Sequence, residues 1–377
     1  MNVVVLTTVH PRDDNRVFNK EIAGLSSVPG YNVSAVVADG LGDEHRSKYN
    51  IIDLGAPDGR LSRFISGNFK AFHRVKKLKP DVVHFHDPEL MFLGVIFSML
   101  GMKVVFDVHE NVPADIKDKY WIPGWLRGVV SLFYRIVEFM CVRFFSAIVA
   151  ATPDIYQRYP SKLVILLQNY PRLEEFSFSD EGGSEDKPRG FSIAYLGAIT
   201  RIRGIDNIVR SLSLLSNKAV CFKLAGFFQE EGHQQDLEAM PEWKYVDFIG
   251  KVSREEVGPF LAGAKAGVVT FLPANNHINA QPNKLFEYMA AGIPVIASDF
   301  PLWRELIEQH DCGYLVDPES PESIAGAIKA IQENPDLAKT KGLNGKRAIQ
   351  SELNWEVESK RLIDLYQGLE KQLVGGY

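Results

Sequence analysis

The feature that most constrains this chain is the alternation of short apolar segments with helical segments along its whole length. In the first half the pattern predicts strands at residues 3–8, 32–38, 81–86, 103–108, 147–151 and 162–167. The pattern restarts in the second half, with strands at residues 191–196, 219–225, 246–248, 267–271, 294–297 and 313–315. Apolar strands separated by helices indicate a parallel sheet that is covered on both faces. The sequence therefore predicts an α/β fold with two doubly wound units, whose ligands bind beyond the carboxyl ends of the strands.

The length of the chain and one change of composition predict the domain boundaries. A chain of 377 residues is too long for one ordinary hydrophobic core, so two domains are expected. Residues 174–190 are acidic and rich in glycine, which is typical of a linker or an exposed loop. We therefore expect an N-terminal domain at residues 1–172, a C-terminal domain at 190–353 and a final helical segment at 354–377.

Composition excludes several classes of protein. The formal net charge is −5, which does not suit a general nucleic-acid binder. Cys141, Cys221 and Cys312 lie far apart without CxxC spacing, which favours a reducing compartment and argues against a zinc site. The start MNVVVLTTV resembles a first strand, and no apolar run reaches the roughly 18 residues of a membrane span. We expect a cytoplasmic protein, or one peripheral on the inner face of a membrane.

Several motifs occur in the order typical of one enzyme family. They read DVVHFHDPEL, VVFDVHENVP, LGAITRIRGIDNI, FIGKVSREEV, PNKLFEYMAAGIPVIASD and NWEVESKRLIDLY. Together they resemble the retaining GT-B glycosyltransferases of the "glycosyl transferases group 1" family. The resemblance implies two Rossmann-like domains that face each other across a cleft, with the last helix crossing back to the N-terminal domain. It also implies a hexose transferred from a nucleotide-diphosphate sugar to a hydroxyl of a glycan or lipid-linked saccharide, without a metal, in bacterial surface polysaccharide synthesis.

The resemblance assigns donor-binding residues to the second domain. Glu287 corresponds to a family residue that accepts hydrogen bonds from the ribose hydroxyls, and a carboxylate suits a vicinal diol because it only accepts. The alternative for Glu287 is a solvated helix carboxylate. The helix that starts near Asn283 would direct free N–H groups at a diphosphate, with Lys284 as an adjacent cation and Leu285 beside it. Backbone near Gly250 is expected to contact the base.

Two positions depart from the family pattern. Asn279 stands where relatives carry a second Glu, so it can hydrogen-bond a donor sugar but cannot carry negative charge. Ala198 stands where relatives often carry Arg, whereas Arg203 keeps the second cation, which would neutralise the leaving diphosphate. Arg201 is either a replacement for the missing cation or an ordinary surface residue. The resemblance gives Arg203, Asn279 and His109 the catalytic roles.

Polar residues follow strands of the first domain as well. His109 corresponds to a family histidine that lies against the donor sugar, and His86 and Asp87 end the neighbouring predicted strand. Asp14 and Arg16 follow the first strand, and with His86 and Asp87 they are expected on the acceptor side; Asp14 is also a candidate N-cap. The HxHD and HE sequences contain usable metal ligands, but packing at strand ends and the resemblance both favour a site without metal.

Basic and aromatic residues of the first domain suggest membrane contact. The basic ones lie on or just after one predicted helix, at Arg63, Lys70, Arg74, Lys76, Lys77 and Lys79. Residues 120–145 add aromatic residues and arginines. Such a face would suit an anionic bilayer that holds a lipid-linked acceptor, and the alternative is a core helix with ordinary charged neighbours.

Two other functions remain open on this fold. A nucleotide-sugar epimerase or hydrolase would need further acid and base carboxylates. A non-catalytic binding subunit would be consistent with Asn279 and Ala198, although Glu287, Arg203 and His109 are present. Incubation of the donor without an acceptor distinguishes these possibilities.

Overall fold

A computed structural model describes residues 1–118, 122–176, 190–215 and 220–374, and it divides the chain into two compact units. The first unit consists of Met1–Asn169 and Glu356–Tyr377, and the second of Tyr170–Trp355. The second unit thus begins before the expected residue 190. Within the expected linker, residues 177–189 lie outside the described residues.

The first unit contains an eight-stranded sheet of order β3-β4-β2-β1-β5-β6-β7-β8. Its strands are β1 (Asn2–Leu6), β2 (Asn32–Val37), β3 (Glu44–His45), β4 (Asn50–Asp53), β5 (Val82–Phe85), β6 (Lys103–Val108), β7 (Ala147–Ala150) and β8 (Val164–Leu166). All pairings are parallel except that of β3 with β4. The predicted strands are found here, and β3 and β4 are added at one edge.

Helices cover this sheet, and two of them continue π-helical segments at Asn15–Ile22 and Arg63–Gly67. They are α1 (Ala23–Ser26), α2 (Arg60–Ser62), α3 (Asn68–Leu78), α4 (Met91–Met99), α5 (Val112–Asp118), α6 (Gly124–Cys141) and α7 (Pro153–Tyr156). The sheet contributes apolar side chains such as Val4, Val83 and Phe106 to a buried core. Apolar residues on both faces of these strands explain why the sheet needs helices on each side.

The second unit contains a six-stranded sheet of order β11-β10-β9-β12-β13-β14, and all its pairings are parallel. Its strands are β9 (Phe191–Ile199), β10 (Val220–Phe228), β11 (Val246–Gly250), β12 (Ala266–Val269), β13 (Val295–Ser298) and β14 (Gly313–Val316). Counted from β9, this is the strand order 3-2-1-4-5-6 of dinucleotide-binding folds. The order reverses between β9 and β12, and ligands of such sheets bind at that reversal.

The helices of the second unit include the predicted segment after residue 282. They are α8 (Ile205–Ser211), α9 (His233–Glu238), α10 (Val257–Leu261), α11 (Asn275–Ile278), α12 (Asn283–Ala290), α13 (Pro301–His310), α14 (Pro321–Glu333) and α15 (Pro335–Ser351). We did not predict α15, which packs on α12. Gly342 of α15 lies so close to the backbone of Gly292 that an added Cβ would be 2.2 Å from its carbonyl oxygen.

The last helix, α16 (Trp355–Val374), belongs to the first unit from Glu356 onward. Its apolar face carries Leu362, Tyr366 and Leu369, all of which are buried. The hydroxyl of Tyr366 lies 2.9 Å from Nδ1 of the buried His84 in β5. Helix α16 therefore packs with residues 1–169, as part of the first unit.

Candidate functional site

Near the reversal of strand order in the second unit, strand β9 is in close contact with β10 and with the side chain of Lys284. A Cβ on Gly226 of β10 would lie 1.8 Å from the carbonyl oxygen of Gly197 in β9. A Cβ on Gly197 would lie 2.6 Å from both Cε and Nζ of Lys284. Glycine at these positions lets the lysine cross the backbone at the end of β9.

The cationic side chains of Arg203 and Lys284 lie close together at this end of the sheet. Arg203 donates a hydrogen bond to the carbonyl oxygen of Ala198 at 3.0 Å, and its guanidinium carbon is 5.4 Å from the ring centroid of Phe271. Nζ of Lys284 lies 5.9 Å from the same centroid and 5.6 Å from that of Tyr195. Burial, and next the charge of Arg203, lower the pKa of Lys284 to about 8. The lowered pKa means that the two positive charges are poorly compensated, and a bound anion would compensate them.

Helix α12 contributes its N-terminus to the same place. Pro282 occupies the N-cap in an extended conformation, and Lys284 lies in the first turn. The first N–H groups of a helix lack partners within the helix, and together with the helix dipole they attract phosphate. The cation pair and the start of α12 thus form a candidate diphosphate site.

Glu287 lies one turn further along α12 and is buried. Its carboxylate forms an ion pair with Arg254, which also pairs with Glu175. We did not predict Arg254 or Glu175 as site residues. The KVSREEV motif contained Arg254, but its partner lies more than thirty residues away, so only the fold reveals the pair. Because Arg254 fixes one oxygen of Glu287, it is a positioning residue for that carboxylate.

The other residues predicted for donor binding have different surroundings. Arg201 is exposed and forms ion pairs with Asp206, Glu230 and Asp236, so it is a surface residue and does not join Arg203. The side chain of Leu285 is wholly buried in the hydrophobic core, where a ligand cannot contact it. Asn279 is exposed at the end of α11, and Gly250 ends β11 with φ of 81°. These placements leave the predicted roles of Asn279 and Gly250 as predictions.

The first unit has its own reversal of strand order, between β1 and β5. Asp87, which follows β5, is buried and accepts a hydrogen bond from the backbone N–H of Thr8 at 2.5 Å. The hydroxyls of Thr7 and Thr8 also donate to it, each at 3.1 Å. Asp87 therefore links the segment after β1 to the end of β5.

His10, His86 and His109 lie beside Asp87 in the first unit. Nε2 of His109 is 3.0 Å from Nδ1 of His86 and 3.2 Å from an oxygen of Asp107. The ring of His10 lies 5.0 Å from that of His109, and its Nδ1 is 3.0 Å from Asp14. His10 and His109 are partly exposed, whereas His86 is buried. We did not predict His10, because a lone loop histidine carries no pattern.

Asp14 acts as the predicted N-cap, accepting from the N–H of Val17 at 2.9 Å. Although burial alone would raise it, the hydrogen bond with His10 lowers the pKa of Asp14. The same partner raises the pKa of His10 against the effect of burial. Each shift favours the charged form of its group, because the two side chains are hydrogen-bonded to each other.

Arg16, which we expected on the acceptor side, is buried and has its charge paired within the first unit. Its guanidinium lies 3.0 Å from Glu21 and 3.0 Å from Asp107. Burial, and next the charge of Asp107, hold the pKa of Glu21 well above its ordinary value. Burial would raise the pKa of Asp107, but Arg16 and His109 hold it well below that of a free aspartate.

These groups include the one arrangement of metal-ligand type found among the described residues. Ligand atoms of Glu21, His84, His86 and Asp107 lie within 4.8 Å of one another. Arg16 already contacts both carboxylates, so a divalent cation would face a fixed positive charge. The cluster is better explained as a buried ion-pair network that holds His86 and His109.

Comparisons with known proteins agree with this architecture. Residues 190–334 match the family described as "Glycosyl transferases group 1", and residues 24–164 match "Glycosyltransferase Family 4". Glycogen synthase from Mycobacterium tuberculosis is 22% identical over 314 residues, which cover 78% of this chain and 71% of that protein. A GDP-mannose-dependent alpha-mannosyltransferase from the same species is 23% identical over 336 residues, covering 85% and 79%.

Solved structures show the same fold. Sucrose-phosphate synthase from Thermosynechococcus elongatus superposes with a TM-score of 0.76 and 17% identity, covering 100% of both chains. HepE from Anabaena, solved with UDP-glucose, gives a TM-score of 0.73 and 15% identity, covering 98% of this chain and 100% of that one. The chain therefore belongs to the glycosyl transferases group 1 family, and it is a GT-B glycosyltransferase that depends on a nucleotide sugar.

Proposed function

We propose that this enzyme transfers a hexose, with retention of anomeric configuration, to a hydroxyl of a glycan or lipid-linked saccharide in bacterial surface polysaccharide synthesis. The observation that carries the proposal is the meeting of Lys284, Arg203 and the start of α12 at the strand reversal of the second unit. A nucleoside diphosphate places two phosphates beside a ribose. Glu287, one turn along α12, is spaced to accept from the ribose hydroxyls.

The leaving group is then stabilised by the protein's own cations. As the bond between the anomeric carbon and the phosphate oxygen breaks, negative charge grows on the diphosphate, where Arg203 and Lys284 lie. We propose that no divalent metal is required, because these two cations supply the charge a metal would supply. Activity should persist after exhaustive treatment with EDTA, and restoration of lost activity by Mg²⁺ or Mn²⁺ would refute this part.

Retention in a single displacement requires attack on the face from which the diphosphate leaves. In this mechanism a bond forms from the acceptor oxygen to the anomeric carbon while the bond to phosphate breaks, and the acceptor proton passes to the departing phosphate oxygen. Asn279 is compatible with this mechanism, because an amide can position the sugar hydroxyls by hydrogen bonds without accepting the proton itself. Catalysis rests on positioning and charge stabilisation.

The anomeric configuration of the product decides the mechanism. Nuclear magnetic resonance of the glycoside formed from an α-linked nucleotide sugar should show an α linkage. A β linkage would refute retention and would instead point to His109, held by Asp107 at 3.2 Å, as a general base.

Incubation of the donor alone separates the two rival functions. A transferase should release nucleoside diphosphate slowly without acceptor and rapidly with it. An epimerase or hydrolase would convert the donor at full rate without acceptor, and a non-catalytic subunit would bind the donor and convert nothing.

A further inference from the structure

Helix α6 of the first unit exposes a continuous apolar stripe. Exposed apolar side chains recur every three or four residues, at Trp125, Val129, Phe133, Ile136 and Phe139. Trp125 is 80% exposed and Phe133 is 67% exposed. The opposite side of the helix is buried through Ser131, Val137 and Cys141. An amphipathic helix normally turns its apolar side inward, so this outward stripe needs a partner.

Helix α4 extends the stripe into a wider surface. Phe92, Ile96 and Met99 are all exposed, and Met99 is 74% exposed. The hydroxyl of Ser98 in α4 donates to the carbonyl oxygen of Phe144, just after α6, at 2.5 Å, so the two helices adjoin. We call the exposed side chains Phe92, Ile96, Met99, Trp125, Phe133 and Phe139 the apolar face.

Basic residues lie next to the apolar face. Arg143 lies over the ring of Phe139, with its guanidinium carbon 3.8 Å from the centroid. Helix α3 reaches α4 through Phe72, whose ring stacks on Phe97 at 6.2 Å. Its basic residues are Lys70, Arg74, Lys76 and Lys77, of which Arg74 pairs with Asp43 at 3.2 Å. In α3, α4 and α6, which are fully described, the one acidic residue is Glu138, and it is buried and paired with Arg158. This local excess contrasts with the net charge of −5 of the whole chain.

Charge decides between the possible occupants. A second copy docked by two-fold symmetry would bring the same basic helices against each other, and like charges repel. An anionic bilayer accepts apolar side chains at its boundary and attracts lysine and arginine around them. In the described ranges no helix is long and apolar enough to cross a membrane, so contact would be along the surface. We propose that the apolar face docks the first unit on an anionic lipid surface.

This inference adds a partner to the proposed function and does not rest on it, because vesicle binding is measured without transfer. The experiment uses flotation of the full-length protein with vesicles of phosphatidylcholine and with vesicles of equal parts phosphatidylcholine and phosphatidylglycerol. Wild-type protein should bind the anionic vesicles and bind the zwitterionic ones at least about tenfold more weakly. The triple variant Trp125→Ser, Phe133→Ser, Phe139→Ser should lose binding by at least about tenfold, because it removes three exposed rings.

A matched variant changes exposed apolar residues elsewhere. Leu337→Ser with Leu343→Ser alters two exposed leucines of α15 in the second unit and should bind vesicles as wild type does. The far-UV circular dichroism spectrum and the thermal unfolding midpoint should be unchanged in both variants, which shows that both units of each variant are folded. Equal binding to both vesicle types, or binding retained by the triple variant, overturns the proposal. A dimer in sedimentation velocity that the triple variant abolishes, with no vesicle binding, assigns the face to a second copy.

Discussion

The pairing of Glu287 with Arg254 leads to a prediction about nucleotide binding. If Arg254 positions the carboxylate, Arg254→Ala should weaken nucleoside diphosphate binding about tenfold, or ~1.4 kcal/mol, by calorimetry. Arg304→Ala is the control, because Arg304 forms ion pairs at the surface with Asp299 and Glu308. Tighter binding by Arg254→Ala would mean that the arginine competes with the ribose for Glu287.

Lys284 predicts how that binding depends on pH. Its pKa is lowered to about 8 without ligand, and a bound diphosphate would raise it, so binding takes up a proton once the pH exceeds 8. Affinity should therefore be highest below pH 8 and fall above it, by up to about tenfold for each pH unit. Calorimetry at several pH values measures this, with buffers of different ionisation enthalpy reporting the proton.

Lys284→Met provides the contrast. It should bind more weakly at neutral pH and lose the decline above pH 8, because the titrating group is gone. A decline of the same size in this variant would show that another group is responsible.

At the scale of elements, the turn that carries Arg203 depends on one glycine. Gly204 has φ of 75°, and a Cβ there would lie 1.9 Å from the carbonyl oxygen of Thr270. Gly204→Ala should lower the free energy of unfolding by about 2–4 kcal/mol, because it adds both backbone strain and a clash with backbone. Denaturant titration measures the loss.

Gly326 offers a matched position for that experiment. It lies inside α14, is exposed, and has nothing within 4 Å of an added Cβ. Gly326→Ala should stabilise the protein by about 0.5–1 kcal/mol, because alanine favours a helix interior. If the two substitutions had equal effects, the close contact at Gly204 would not exist.

The elements differ in how far the sequence could predict them. Strand β1 is apolar from Val3 onward and β12 is apolar throughout, and α12 ends shortly before the glycine of AAGIP, so the sequence identifies these elements. Strands β3 and β4 are short and carry several polar residues, and they form by pairing, β4 with β2 and β3 with β4. Helix α15 carries Gly342 and Gly345, which weaken a helical pattern and are needed for close packing on α12.

In the candidate site, too, some residues could be predicted from the sequence and others only from the fold. Glu287, Lys284 and Arg203 are carried by motifs, whereas the pair of Glu287 with Arg254 forms only when β11 and α12 are folded. Arg16 and Arg201 looked available in sequence, but their partners Asp107 and Asp236 lie on other elements. Partners distant in the chain decide whether a charged group is available to a ligand.

At the scale of the whole molecule, the buried face of α16 predicts which unit is destabilised when that face is mutated. Leu362→Ala should lower the stability of the first unit by about 2–5 kcal/mol, because it leaves a cavity in a buried helix face. Hydrogen exchange should show the loss of protection in residues 1–169. Gln367→Ala, an exposed position on the same helix, should change little. Loss of protection confined to residues 170–355 would contradict the assignment of α16.

The return of α16 also affects how the chain is made. The ribosome makes residues 1–169 before residues 170–355, yet the first unit lacks α16 until residues 356–374 have also been made. Residues 170–355 are contiguous and complete while synthesis is still in progress. The second unit is thus expected to fold during translation, ahead of the unit that precedes it in the chain. A stop codon before residue 356 would leave the earliest-made part of the protein unfinished and open to chaperones and proteases.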